Sequence, residues 1–222
     1  MEQVRSNFKS WHLPKFRVAL AIGSHPDDIE MGCAGTIARI QEMGTDVHSV
    51  VMSICEEEQC EEEKDIRKKE FAEASQILGV KTNNAYNFPN RNLPDHSVEM
   101  MDIFNKLQAE LKPELVLIPW IEDSHQDHSA VAYSAIRAFR KNETIIQYEI
   151  LRYGSHTFTP TLFVDITKHI ETKLKALECY KTKKAKRGIY FDKRSYEALA
   201  IARGAQVGFE FAEAFISYKI LW

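Results

Sequence analysis

The sequence predicts a single α/β domain built on a mostly parallel sheet with helices on both faces. Three observations carry that reading. Short apolar runs alternate along the chain with segments whose apolar residues recur at helical spacing, the pattern of repeated β-α units. Parallel strands need crossover connections, and these are usually helices that cover the sheet. The length of 222 residues suits one well-packed domain and is short for two. The expected arrangement is Rossmann-like over residues 1–222, with 1–15 as an N-terminal extension.

The first strand is expected at 16–23, an apolar run with no polar alternation, as in a strand buried on both faces. A helix at 33–43 ends near Gly44, and a second strand covers 47–54. Residues 62–78 place Phe71, Ala74 and Leu78 on one helical face, and Gly79 ends that helix because glycine adopts the left-handed C-terminal cap without strain. A short strand at 84–88 leads to a helix over 97–111, with Met101, Phe104, Leu107 and Leu111 inward. Residues 115–119 are a strand, and 128–140 a helix that stacks Val131, Ala135 and Phe139. Segments 144–151 and 161–164 are strand-like. A helix over 167–180 buries Ile170, Leu174 and Leu177, and a last helix near 194–206 precedes a C-terminal strand at 214–221.

In such a sheet, ligands bind outside the carboxyl ends of the strands. Two of the strand ends carry His and Asp. The first strand leads into His25-Pro26-Asp27-Asp28-Ile29-Glu30, and the strand at 115–119 leads toward Asp123, His125, Asp127 and His128. This turn is not a dinucleotide fingerprint, because it lacks G-x-G-x-x-G. Gly32 and Gly35 follow at the start of the next helix and leave a phosphate cradle there as a weak alternative.

The two clusters offer enough nitrogen and oxygen donors for a catalytic zinc. Pro26 fixes the backbone between His25 and Asp28, so both can aim at one point. His128 is the best candidate for the third ligand, and two histidines with one carboxylate leave a coordination position for water. Side chains of adjacent residues on an extended turn diverge, which frees Asp27 to act as a general base toward that water. His125 lies three residues before His128, so on one helix turn both point the same way. Asp127 can orient an imidazole by a hydrogen bond. Taken singly, each fragment has an ordinary reading: a His-Pro turn, a helix cap at Asp127, an exposed His125. His12, His48, His96 and His169 have no such company and are assigned to surface or core, while His156 follows a strand and stays open.

Composition narrows the function classes. A formal net charge of -3 gives no general attraction to nucleic acid or to an anionic membrane surface. No apolar run approaches the roughly 20 residues of a membrane span. The N-terminus lacks the basic region and apolar core of a signal peptide, which points to the cytoplasm. Cys33, Cys55, Cys60 and Cys179 contain no CxxC and read as reduced thiols. The sequence leaves a homo-oligomer open. The acidic run from Glu56 to Glu63 suits the positive end of a helix dipole and is otherwise solvated; its functional alternative is a loop at the mouth of the site that disfavours highly anionic substrates. Arg67, on the helix after it, is by default a surface residue.

These motifs resemble the PIG-L/LmbE-like family of zinc-dependent N-acetylglucosaminyl deacetylases. His25 to Glu30 matches the family's His-Pro-Asp-Asp-x-Glu in full, and His125-Gln126-Asp127-His128 matches His-Pro-Asp-His with Gln126 replacing proline. Ile66-Arg67-Lys68-Lys69-Glu70 and the late segment from Phe211 to Phe215, preceded by Arg203 and Gly204, match weaker patterns. Ser53, Ile54, Cys55 and Glu56 stand where the family commonly has Thr-Arg-Gly-Glu.

The resemblance implies metal ligands at His25, Asp28 and His128 and a general base at Asp27. It implies a protonated, oxyanion-stabilising His125 partnered by Asp127, and a substrate-contacting Arg67. The implied cofactor is Zn2+. The implied substrate is a small-molecule N-acetyl amino sugar conjugate, hydrolysed to acetate and a free amine. Two other classes fit a carboxylate-rich metal turn. One is a metal-dependent phosphoric ester hydrolase, which would release phosphate instead of acetate, although two histidines among three ligands favour zinc over magnesium. The other is a non-catalytic sugar-binding protein with a relict metal site, against which an intact Asp27 counts.

Overall fold

The structure is a computed structural model describing residues 15–54, 61–154 and 157–221. Among these, β1 (Val18–Gly23), β2 (Asp46–Val51), β3 (Thr82–Ala85), β4 (Leu115–Pro119), β5 (Thr144–Tyr148), β6 (Leu162–Asp165) and β7 (Ala212–Lys219) form one sheet in the order β3-β2-β1-β4-β5-β7-β6. The pairs from β3 to β5 are parallel, and β7 runs antiparallel between β5 and β6. The helices are α1 (Asp28–Glu42), α2 (Glu61–Ile77), α3 (Ser97–Leu111), α4 (Gln126–Ala138), α5 (Ile170–Glu178), α6 (Lys181–Arg187) and α7 (Lys193–Val207). Short 3-10 turns cover Leu93–His96 and Gly188–Phe191.

The continuous apolar strands have two cores to fill. Ala19 and Ala21 of β1, with Leu115 and Leu117 of β4, face α1, α2, α5 and α7. Their neighbours Leu20, Ile22, Val116 and Ile118 face α3 and α4. Alternation along a strand thus divides one run between two layers. The chain builds β1, β2 and β3 outward on one side, then crosses back to place β4 on the other side of β1. The crevice between the carboxyl ends of β1 and β4 is the switch point, where such sheets bind ligands.

The differences from the sequence reading have physical causes. The first helix begins at Asp28, five positions earlier than expected, and breaks regular geometry at Cys33 (φ -146°). Gly32 and Gly35 serve packing rather than phosphate. A Cβ on Gly32 would lie 2.0 Å from Tyr148 Cδ2, and one on Gly35 2.8 Å from Ile166 Cδ1. Met100, not Met101, is the buried methionine of α3. The helix expected over 167–180 stops at Glu178, and a separate helix, α6, follows. Its lysine-rich sequence shows no apolar stripe, so periodicity could not reveal it. The late segment is structural: Glu213 accepts from the Gly35 and Thr36 amides (2.9 and 2.6 Å) and from Lys173 Nζ (2.6 Å), tying α1 to α5 and β7. Arg203 grips Glu149 through Nε and Nη2 at 2.7 and 2.8 Å. No described helix is long and apolar enough to cross a membrane.

Candidate active site

The first cluster is set by the turn between β1 and α1. Asp28 opens the helix and folds its Oδ2 back onto the amides of Ser24 and His25, at 2.9 Å each. Its Oδ1 is left facing His128 Nε2 at 3.5 Å. Asp27 precedes the helix with φ 112°, a conformation that costs a non-glycine residue on the order of 1–3 kcal/mol. Its carboxylate faces Arg67 Nη2 and Lys183 Nζ, both 3.7 Å away. Adjacent carboxylates therefore serve separate neighbours, as the turn geometry suggested.

The second cluster is set by the start of α4. His125 is the cap, and its Nδ1 accepts the Asp127 amide at 3.2 Å. A neutral ring so bonded carries its proton on Nε2. The His125 and His128 rings stack at 4.5 Å with planes 14° apart. Behind His128, Asp123 Oδ2 lies 3.0 Å from Nδ1, while Asp123 Oδ1 accepts the His125 amide at 2.8 Å.

Asp127 reaches across to the first cluster. Its Oδ2 lies 3.0 Å from His25 Nε2 and accepts the Arg91 amide at 2.7 Å, and Oδ1 accepts the Leu93 amide at 3.2 Å. The expected Asp127–His125 partnership runs only through the Asp127 backbone; the carboxylate holds His25.

The electrostatics favour positive charge at the centre. Burial alone would lower both His25 and His128. Hydrogen bonds to Asp127 and Asp28 outweigh it at His25, and the Asp28 charge with the Asp123 bond raises His128 to about 10. Burial would raise Asp28, but the His128 charge and hydrogen bond hold it well below the usual carboxylate range. Burial raises Asp27 despite the opposing charges of Lys183 and Arg67. His125 is lowered to about 4, first by burial and then by the two neighbouring imidazoles.

His25, Asp28 and His128 each offer one donor atom, all within 4.8 Å of one another. A carboxylate stands behind each imidazole, Asp127 behind His25 and Asp123 behind His128. That is the arrangement by which proteins orient metal-ligating histidines. The donor set fits a divalent transition metal. His25, His125 and Asp127 form a second, overlapping set.

These groups floor an open cavity of about 570 Å³. Its walls add residues that periodicity and motif did not single out: Asn90, Arg91, Tyr153, Lys183 and Tyr190. Lys183 is buried although its helix reads as solvated charge. Asp123 had a visible signal, since it stands in the second cluster five positions before His128. Arg67 is 1% exposed and does not line the cavity. Its Nη2 donates to the Pro26 carbonyl at 2.7 Å, while Nε and Nη1 have no hydrogen-bond partner among the described residues. Of the remaining histidines, His48 bonds Thr82, His96 bonds Glu99 and His169 pairs with Glu42. Residues 55–60, with Cys55, Cys60 and most of the acidic run, lie outside the described residues, as do His12 and His156.

Residues 20–139 match the family model described as GlcNAc-PI de-N-acetylase, PIG-L. The chain is 31% identical over 177 residues to the uncharacterized deacetylase YaiS of Escherichia coli, covering 73% of this chain and 90% of that protein. It is 29% identical over 184 residues to the diacetylchitobiose deacetylase of Thermococcus kodakarensis, covering 73% and 68%. The crystal structure of the conserved protein TT1542 from Thermus thermophilus superposes with a TM-score of 0.76 at 28% identity, covering 92% of this chain and 96% of that one.

Proposed function

Because this chain belongs to the PIG-L family of GlcNAc-PI de-N-acetylases, we propose that it is a zinc-dependent hydrolase that removes the acetyl group from an N-acetylglucosamine-type conjugate. The observation that carries the reading is the convergence on one cavity of a His25–Asp28–His128 donor set, the strained and buried Asp27, and the Nε2 edge of His125. The two curated relatives, both named as deacetylases, support it.

His25, Asp28 and His128 would hold the zinc, which when bound supplies a water of pKa near 7 and polarises a carbonyl oxygen. Asp27 takes the proton of the attacking water on its carboxylate, as a general base. Arg67 and Lys183 keep that carboxylate on the cavity wall. His125 donates from Nε2 to the oxyanion as it forms, because its Nδ1 is engaged by the Asp127 amide. The neutral ring thus replaces the protonated His125 of the sequence reading as the donor. Asp27 then returns its proton to the departing amine. Acetate and a free amino sugar leave.

The test is product analysis. Zinc-loaded protein is incubated with N-acetylglucosamine, diacetylchitobiose and a phosphorylated N-acetylglucosamine, and acetate and phosphate are both assayed. Acetate is the expected product. Phosphate without acetate would identify an ester hydrolase, and neither product from zinc-bound protein would overturn the catalytic reading.

A further inference from the structure

Helix α6 brings Lys183 to the cavity, yet little in its own sequence holds it in place. It reads Lys-Thr-Lys-Lys-Ala-Lys-Arg over Lys181–Arg187, with Ala185 as its one apolar residue. A helix this short, with like charges three and four residues apart, does not hold together alone in water. Buried aromatics anchor the two flanks: the Tyr180 and Phe191 rings meet at 6.2 Å. The helix between them needs a tie of its own, and α2 supplies it. Glu70 accepts the Thr182 amide on Oε1 at 2.9 Å and the Thr182 hydroxyl on Oε2 at 2.6 Å. Tyr180, the residue before α6, makes no side-chain cap, so the Glu70 carboxylate takes that role from another helix.

Glu70 lies three residues after Arg67 on one face of α2, and both are buried. That spacing gives the segment from Ile66 to Glu70 a physical content. Arg67 meets the Asp27 carboxylate directly. Glu70 holds Thr182, and the next residue, Lys183, meets the same carboxylate. Both cations face one oxygen, Asp27 Oδ2, at 3.7 Å each. Oδ1 is thereby left for the proton of the attacking water. Glu70 and Thr182 stand 112 residues apart, so only the folded chain shows them to be partners.

We propose that Glu70 and Thr182 are positioning residues for the reaction. They dock α6 on α2 and so set the Lys183 ammonium against Asp27, which with Arg67 fixes how the general base is turned. This rests on the deacetylase reading and adds two residues that do not line the cavity. The role depends on geometry and not on the charge of Glu70. Glu70→Gln keeps both bonds, because its amide accepts through Oε1 and donates through Nε2 to the hydroxyl. Glu70→Met has a similar length and removes both, while Thr182→Val removes only the hydroxyl bond.

The test reads steady-state kinetics and the rate of tryptic cleavage within α6, both on zinc-loaded variants. Glu70→Met is expected to lower kcat by about 10- to 100-fold, the cost of a small misplacement of a catalytic group, with KM little changed. Cleavage within α6 should rise by about 10- to 100-fold, the worth of a hydrogen bond to a charged group. Thr182→Val should shift both in the same direction by less, and Glu70→Gln should behave as wild type. Lys183→Met should match the loss in kcat, and adding Glu70→Met to it should cost little more, because both act through one contact. Asp27→Asn should also speed cleavage, since α6 then loses the carboxylate that Lys183 faces. Cleavage as slow as in wild type in Glu70→Met and Thr182→Val would overturn the docking. Faster cleavage with kcat unchanged, or a fully additive loss in the Glu70→Met, Lys183→Met double variant, would overturn the positioning role. If wild type releases no acetate, the deacetylase reading falls by itself. The cleavage rates of the Glu70 and Asp27 variants then still decide whether α6 is tied to α2 and to Asp27, and wild-type rates in both would sink the proposal.

Discussion

Replacing Asp127 by Asn tests the claim that this carboxylate joins the two clusters. Asp127 is fully buried and receives three groups, His25 Nε2, the Arg91 amide and the Leu93 amide. An Asn side chain has the same shape but only one acceptor oxygen. Its better orientation keeps that oxygen at the Oδ2 position, where His25 and Arg91 meet. The amide nitrogen then faces the Leu93 amide, donor against donor. One buried hydrogen bond is lost and a donor is left unpaired, a cost of about 1–3 kcal/mol. For a chain of this size that lowers Tm by about 2–12 °C. The charge behind His25 is also gone, and loss of a group that orients a metal-binding histidine typically weakens metal affinity by about 10–100-fold. The assays are thermal melts with and without zinc, and zinc affinity by competition with a chromophoric chelator. If the variant binds zinc as tightly as wild type, Asp127 does not orient a ligand and His25 is removed from the proposed donor set. If affinity falls with no change in Tm of the metal-stripped protein, the loop at 90–93 is not anchored as described.

Asp27→Asn should retain zinc and fold but lose about 10²–10⁴ of kcat, the usual worth of a general base; turnover near wild type in the zinc-loaded variant would dismiss the base. His128→Ala should lose most of its zinc by metal analysis, and wild-type content would exclude His128 as a ligand. Arg67→Lys should lower kcat by on the order of 10², because a small misplacement of Asp27 is enough for that, with KM little changed for every substrate; a loss confined to KM would restore Arg67 as a substrate contact. Gly32→Ala should destabilise the protein by about 1–3 kcal/mol through overpacking against Tyr148, and an unchanged denaturation midpoint would mean that α1 can move off the sheet freely.

The fold was legible where one physical requirement dominates. Strands buried on both faces must be apolar throughout, and β1 and β4 are, so their positions and the strand ends that follow them could be read directly. The grouping of His25, Asp28 and His128 was legible because these donor types leave few ordinary explanations when they stand together, and their donor atoms do lie within 4.8 Å of one another. What could not be read depends on three-dimensional neighbours. Lys183 sits in a helix whose composition is that of a solvated face, and only the packing of α6 against the cavity buries it. Arg67 was assigned to surface on polarity and to substrate by resemblance, whereas its helix turns it inward beneath Pro26. Asp127 was paired with its neighbour in sequence, yet its carboxylate crosses to the other strand end. Arg91 lines the cavity from a left-handed backbone position, φ 65°, that no local pattern encodes.

The crossing contacts explain why this site belongs to the switch point and not to either loop. Asp28, from the β1 side, faces His128 of the β4 side, and Asp127, from the β4 side, holds His25 of the β1 side. The β4 cluster therefore supplies the carboxylate behind both imidazoles, Asp127 behind His25 and Asp123 behind His128, while the β1 cluster supplies Asp28 to the shared donor set. The β1 segment alone has no carboxylate behind His25, whereas the β4 segment holds both His128 and Asp123. The geometry exists only once β1 and β4 lie side by side, and their register places the two exits at one edge. Burial makes the arrangement demanding, because unpaired charges in this crevice would be costly. It also makes the arrangement sharp, since every donor is held by a second group. A fold that needed only a ligand pocket could tolerate loose loops at this edge. The proposed mechanism needs two imidazoles and two carboxylates in fixed relation, and Asp127, with no catalytic atom of its own in it, ties His25 of one strand exit to the Arg91 and Leu93 amides of the loop beside it.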